Sequence, residues 1–403
     1  MARLLMLCVF LPQRLQVIAA IGTSVYFVFR TLVMGYRPQR RDMLVALLLG
    51  SSYFLYLAAA ALTDAPFRTA AFRVTERVTS LALLPVVFAI ISRPFSAIIA
   101  GQLRYFVYGC LIVCIMGNAD FLYHHVIVDK GMIPLSHVRY RMIFEPFTGI
   151  HPTYMGVYLS FAICIVMVIW HPLHKWERVV MYLTLYTLLL FLLALFAKSP
   201  LLALVAIAAH FLYHNRAMLR QYLLPAGIMG AVVAGAFAFI PFVRQRAVEM
   251  LGLFGSTGNE NITQNSVHTR RLIWDTDVSV LHHYWLTGVG PGRLLQALHQ
   301  RYFFHSLYRG YAVGYFDPHS QYFSHWLSFG ISGIILLVVV LLLHFGRAIT
   351  MANRLYLYLL IILAVTFFTE TFLLRQHGVL FYAIFTSLFF FLQQRDRAGE
   401  LPR

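Results

Sequence analysis

Residues 317–344 read DPHSQYFSHWLSFGISGIILLVVVLLLH, and the second half of this stretch decides the fold class. From Ile331 to Leu343 only Ser332 and Gly333 interrupt an apolar run. A hydrocarbon core is crossed by about 20 apolar residues, so His319–His344 is long enough to span one. Inside lipid every backbone N–H and C=O must be satisfied within the protein, which leaves helices and closed barrels. Barrel strands are short and alternate apolar with polar residues; this run does not alternate. It reads as a membrane helix.

The rest of the chain repeats the pattern. Further candidate spans are Leu15–Met34, Met43–Leu62, Glu76–Ser92, Gln102–Ala119, Pro152–Trp170, Glu177–Ala197, Pro200–Tyr213, Gln221–Phe242, Asn353–Leu373 and Gly378–Gln394. Of 403 residues 60% are apolar and 12% charged, with a mean hydropathy of +0.73. Soluble domains carry about 25% charged residues. The balance excludes an ordinary soluble enzyme, a disordered tail, a disulfide scaffold and a DNA-binding domain. The expected fold is an all-α, polytopic membrane helical bundle of eleven transmembrane helices, or twelve if a short segment precedes Pro12. No cleavable signal is evident, because the apolar sequence simply continues. Cys8, Cys110, Cys114 and Cys164 all lie in apolar stretches, so buried free thiols are expected.

Basic residues in short loops mark the cytoplasmic side. Arg37, Arg40 and Arg41, then Lys175 and Arg178, Arg216 and Arg220, Arg347 and Arg354, and the tail residues Arg395, Arg397 and Arg403 all fall on one side. The long polar segment 243–318 then lies outside. The chain divides into transmembrane helices over 1–242, this loop over 243–318, and transmembrane helices with a cytoplasmic tail over 319–403. Loops of this length carry function or their own helices, and helical pieces are expected around Thr269–His283 and Gly292–Tyr302. The net charge of +17 is explained in large part by Lys and Arg holding helix ends at lipid headgroups. The remainder points to an anionic substrate or lipid.

The residues able to carry chemistry gather on the outer side. Asp317-Pro-His319-Ser320 opens a span, and Pro318 is a natural helix start. His319 would sit at a helix N-terminus, where free N–H groups and the helix dipole favour an anion. An imidazole there can exchange a proton near neutral pH, or simply cap the helix. Gly330 and Gly333 would let a second helix approach. Arg270 and Arg271 are adjacent and point to different sides of a helix, so one of them can face a phosphate; a solvated basic turn is the plain alternative. Lys198, between two apolar runs, can reach a phosphate or snorkel, and Arg244 and Arg246 admit the same two readings. Glu370 lies within an apolar stretch, where carboxylates are costly and paired or functional; Arg375 and His377 are its candidate partners. His151 and Tyr154 begin another span at the mouth of the same region. Asp275-Thr-Asp277 resembles an acidic metal triplet but sits on a short helix without strands, and Gly288–Gly292 lacks a strand before it. The 17 histidines form no zinc pattern, so no metal and no cofactor are expected.

From Lys198 to Arg375 the chain resembles the O-antigen ligases, within the superfamily that also holds O-antigen polymerases and protein O-oligosaccharyltransferases. The resemblance rests on four ordered pieces: Arg270-x-x-x-Trp274, the run Tyr284-Trp-Leu-Thr-Gly-Val-Gly-Pro-Gly292, Asp317-Pro-His319, and His319-Ser320 followed after nine residues by Gly330-x-x-Gly333. One departure is Lys198, where the family often has Arg; the charge survives but a bidentate contact does not. The resemblance implies a GT-C-type glycosyltransferase of the bacterial inner membrane with a periplasmic active site. It would move a glycan from undecaprenyl diphosphate to a sugar hydroxyl of lipid A–core oligosaccharide in lipopolysaccharide biosynthesis, metal-independently and with inversion. His319 and Arg270 would be catalytic. Lys198, Arg244, Arg246 and Arg270 would hold the diphosphate. Glu370, Asp317, Ser320, His151 and Tyr154 would support the site or the acceptor. A polymerase or a protein-directed ligase differs only in acceptor. A lipid-linked glycan transporter is the rival of another class, but it should show repeated halves and mid-bilayer charges.

Overall fold

Each predicted crossing that falls in described residues is helical. The computed structural model describes residues 1–131, 137–170, 174–216, 266–309 and 316–392, with isolated positions between 227 and 238. The span Gln221–Phe242, Arg244 and Arg246 therefore lie outside the described residues. In chain order the helices are α1 (Ala2–Leu7), α2 (Gln13–Val33), α3 (Arg40–Leu49), α4 (Ser51–Leu62), α5 (Ala65–Arg77), α6 (Ser80–Ala100), α7 (Leu103–Tyr123), α8 (His137–Thr148), α9 (Pro152–Ile169), α10 (Lys175–Leu195), α11 (Lys198–His214), α12 (Ser266–Tyr284), α13 (Leu294–Arg309), α14 (Gln321–Phe329), α15 (Ile331–Thr350), α16 (Arg354–Phe367) and α17 (Gln376–Phe390). No strand occurs among the described residues. Six helical stretches are long and apolar enough to cross a membrane, and α3 with α4, bent by 57°, makes up to seven; α16 and α17 are shorter apolar helices.

The segment before Pro12 exists. α1 and a following 3-10 turn bury Leu5, Met6, Cys8 and Val9, and α1 packs on α7. All four cysteines are buried and free.

α9 is the hub of the bundle. Every residue from Tyr154 to Val166 is buried, and the helix contacts α7, α8, α10, α11 and α16. Its aromatic residues interlock with neighbours. Phe106 of α7 lies 5.7 Å from Phe161 and 5.0 Å from Phe385 of α17, and Phe161 lies 5.1 Å from Phe385. Lipid tails are as apolar as these rings, so close packing rather than the hydrophobic effect holds them together.

Two predicted spans are broken, Met43–Leu62 at Gly50 between α3 and α4, and His319–His344 at Gly330. His319–His344 is two helices, α14 and α15, meeting at Gly330 with φ +66° and ψ −155°, a conformation for glycine alone. The sequence reading placed a second helix against Gly330 and Gly333. Instead the run Leu286–Gly288 lies on Gly330, where a Cβ would sit 2.0 Å from the Leu286 carbonyl oxygen. Val289 N–H donates to Leu327 O at 2.7 Å, and Trp326 Nε1–H to Trp285 O at 2.9 Å. α14 thus belongs to the segment that caps the bundle, and α15 is the crossing helix. The cap has its own small core of Leu272, Ile273, Leu281, Leu298, Tyr302 and Leu327. These join α12, α13 and α14, matching the two helical pieces expected in the loop.

Candidate functional site

The cap and three helix starts enclose a cavity of about 300 Å³. Pro152 and Thr153 of α9, Lys198 and Ser199 of α11, and Thr269 and Arg270 of α12 line it, with Phe316, His319, Thr369 and Glu370 from two turns. Local sequence explains the placement. Pro152 starts α9 behind His151, whose ring caps it. Phe196, left-handed at φ 48°, reverses the chain between α10 and α11 and turns Ala197–Ser199 to the wall. The first turns of α9 and α11 therefore present their positive ends to the cavity.

His319 is not in the first turn of a helix. It stands before α14 in the left-handed region, φ 42°, a conformation that costs a non-glycine residue about 1–2 kcal/mol. Asp317 holds it there: one carboxylate oxygen accepts the His319 N–H at 3.2 Å and lies 3.3 Å from Nε2. The other oxygen accepts the Thr371 hydroxyl at 3.1 Å. Ser320 caps α14, accepting from Phe323 N and donating to Phe367 O at 3.3 Å. Its hydroxyl is spent on the scaffold.

Glu370 connects the two principal candidates. It lies in the turn after α16, three residues beyond the helix end at Phe367 and not within the apolar helix. Neither Arg375 nor His377 pairs with it. His377 instead lies 2.6 Å from Gln16 Nε2. Glu370 Oε1 is 3.5 Å from Arg270 Nη2 and accepts the Thr153 hydroxyl at 3.4 Å, while Oε2 is 3.8 Å from His319 Nδ1. Thr369 donates to Ser199 Oγ at 2.8 Å, tying this turn to α11. The carboxylate is thus shared between the guanidinium and the imidazole. Arg271 is exposed, on a different side of α12 from Arg270, since adjacent helical positions lie about 100° apart.

The titration of these groups follows from the geometry. Burial opposes a charge on His319, but the close approach of Glu370 and the charge of Asp317 outweigh it and raise its pKa. Burial would also raise Glu370; the nearby His319 ring and the charges of His151 and Arg270 outweigh that and hold its pKa below the ordinary value. His151 is different. Burial, aided by Arg141 and Arg375 against Glu370 and Glu145, lowers its pKa. A neutral imidazole has one lone pair, so His151 accepts either from Arg141 Nη2 at 3.4 Å or from Thr153 N at 3.4 Å, not from both.

The lining carries Arg141, Lys198 and Arg270 against the single carboxylate of Glu370. Arg270 Nε is buried with no acceptor, so Glu370 alone does not meet the guanidinium's demand for anionic oxygen. An anion with several oxygens suits this place. Tyr154 stands behind the wall, 1% exposed, donating to Thr371 O at 3.3 Å and stacked edge-on against Phe372. Asp277, from the acidic triplet, is buried in the cap core, and among the described residues neither of its oxygens has a hydrogen-bond partner. Burial, with the charge of Asp317 added, raises its pKa well above that of an ordinary carboxylate, so it is a poor metal ligand. Among the described residues no three His, Cys, Asp or Glu side chains are placed to hold a metal.

Arg141, Thr153, Thr269, Thr369 and Thr371 complete the site without a motif of their own. Thr366, Thr369 and Thr371 around Glu370 form a polar cluster ending an apolar run, which is the signal that could have found two of them. Residues 183–338 match the family model for the O-antigen ligase domain. No curated protein matches the chain. The match covers Lys198, Arg270 and His319, so over these residues the chain is similar to the O-antigen ligase domain.

Proposed function

We propose that this chain, similar to the O-antigen ligase domain over residues 183–338, belongs to that superfamily and transfers a glycan from undecaprenyl diphosphate to a sugar hydroxyl of lipid A–core oligosaccharide, at the periplasmic face of the inner membrane. The observation that carries the reading is the Glu370 carboxylate shared by Arg270 and His319 in a cavity with two further cations and two helix N-termini. Displacing a diphosphate from an anomeric carbon needs little covalent help from the protein. The bond from C1 to the phosphate oxygen breaks and both its electrons go to the diphosphate. The enzyme's contribution is to hold that group and stabilise its growing charge with preorganised donors.

Arg270 offers a fork of N–H donors that matches phosphate oxygens. Lys198 and Arg141, which line the same cavity, add positive charge, and Arg244 and Arg246 remain candidates for the same task. Both ring nitrogens of His319 face carboxylate oxygens, an arrangement for imidazolium. In that form it places positive charge beside the diphosphate and does not accept a proton. Glu370 holds Arg270 and His319 in register, and Asp317 and Tyr154 fix the turns that carry them. The acceptor oxygen forms the new bond to C1 from the face opposite the diphosphate, with inversion, and its proton passes to solvent water on that face. Fixed cations take the place that a divalent ion holds in other transferases, and no nucleotide is required because the sugar arrives activated.

Purified protein in lipid vesicles, given lipid-linked glycan and rough lipopolysaccharide in a chelator without nucleotide, is expected to build a ladder on the lipopolysaccharide. Elongation of the lipid-linked glycan alone would assign a polymerase instead. A strict need for a divalent ion would refute the cationic mechanism.

A further inference from the structure

A second cavity, of about 380 Å³, lies between α2, the end of α5, the start of α6 and the start of α17. It takes no part in the site above. One end is polar: Arg73, Glu76 and Arg77 of α5 with Gln376 of α17. The other end is apolar: Ile21, Leu83 and Leu380. Ile21 and Leu83 are 47% and 42% exposed, so the groove opens sideways onto the surface that faces lipid. The three charged side chains are exposed, and among the described residues they form no ion pair, even with one another. Arg73 and Arg77 are i and i+4 on one helix and stand one above the other. This is the layout of a headgroup berth at a membrane rim, with cations above and chain-binding surface below.

The groove lies on the same rim as the catalytic cavity. α5 is anchored to the cap by the Asp64–Arg293 ion pair and by Arg293 stacked 4.9 Å from the Phe67 ring. The two cavities are joined by the turn from Glu370 to Gln376. Glu370 and Gln376 line one cavity each, with Arg375 between them in the chain. A reaction between two lipids needs two berths on one rim, and the first is matched to a diphosphate.

Resting on the ligase reading, we propose that this groove holds the phosphorylated, acylated base of the glycolipid acceptor. Arg73 and Arg77 take its phosphate, and an acyl chain lies on Ile21, Leu83 and Leu380. The sugar chain then passes over Arg375 toward the cavity of Glu370 and His319.

The test uses the full chain with the double variant Arg73→Gln/Arg77→Gln, whose exposed side chains leave the packing intact. In vesicles of fixed composition the variant should raise KM for rough lipopolysaccharide about tenfold, the scale of one lost phosphate contact, with kcat and the donor KM unchanged. Wild-type protein given dephosphorylated acceptor should show the same rise, and the variant no further rise. Native mass spectrometry of the detergent-solubilised chain reads the groove without turnover. Wild type should retain phosphorylated over dephosphorylated acceptor, and the variant should not. Unchanged acceptor KM and retention in the variant would overturn the proposal. So would a defect relieved by added anionic phospholipid, which would mark a berth for ordinary lipid. Selective retention by wild type without transfer from any donor would instead refute the ligase reading while leaving the groove in place.

Discussion

At the scale of single residues, the arrangement turns on the protonation of His319. Its pKa is raised by the two carboxylates that flank it, against the effect of burial. If imidazolium is the working form, kcat/KM holds through the acidic side and falls as pH rises through that elevated pKa, above about 6.5. A general base would give the reverse limb, with activity rising over the same interval. Glu370→Gln removes the principal cause of the elevation, so the falling limb should move to lower pH in that variant. A limb that stays in place would place the titration elsewhere. Arg270 makes a second, independent prediction. Arg270→Lys keeps the charge but loses the fork, and transfer should drop by about 10²-fold, the scale of one lost preorganised donor. Activity within a few-fold of wild type would show that point charge is sufficient.

At the scale of elements, function depends on turns that hold side chains where regular helices would not. Gly330 lets Leu286–Gly288 lie on the break between α14 and α15. Gly330→Ala would drive a Cβ into the Leu286 carbonyl and strain a backbone angle that only glycine adopts without cost. The cap should loosen, and protease cleavage in or beside α12 and α13 should quicken while the membrane helices stay intact. Equal protection of variant and wild type would mean that the cap is held by other contacts. Leu298, fully buried in the cap core, offers a milder probe. Leu298→Ala is expected to cost about 2–5 kcal/mol of local stability, as large-to-small core changes do. Hydrogen exchange of α12 and α13 measures it, and protection unchanged from wild type would count against a cohesive cap.

At the scale of the whole molecule, what was readable in the sequence follows from the physics of lipid. Apolar runs must be helical there, so the helices at Leu15–Met34, Pro152–Trp170 and Glu177–Ala197 could be found from hydropathy, and so could the chemistry-bearing ends. The rest required tertiary information. Gly330 breaks a helix only because a loop from elsewhere in the chain lies on it, and the apolar run around it gives no sign of that. Glu370 reads as internal to a helix because a long apolar run precedes it; Thr369 and Thr371 on either side of it tie the turn to Ser199 and Asp317. Arg270 and His319 stood out individually, but the carboxylate that joins them lies 51 residues further on than His319, a juxtaposition that only folding produces.

The central claim is that Arg270 and His319, linked through Glu370, stabilise a departing diphosphate. Single-turnover release of undecaprenyl diphosphate, measured with donor and acceptor both saturating, tests it most directly. His319→Ala and Arg270→Ala should each slow that release by about 10²-fold or more while the protein remains folded in the membrane and binds acceptor. Release at the wild-type rate in either variant would contradict the claim.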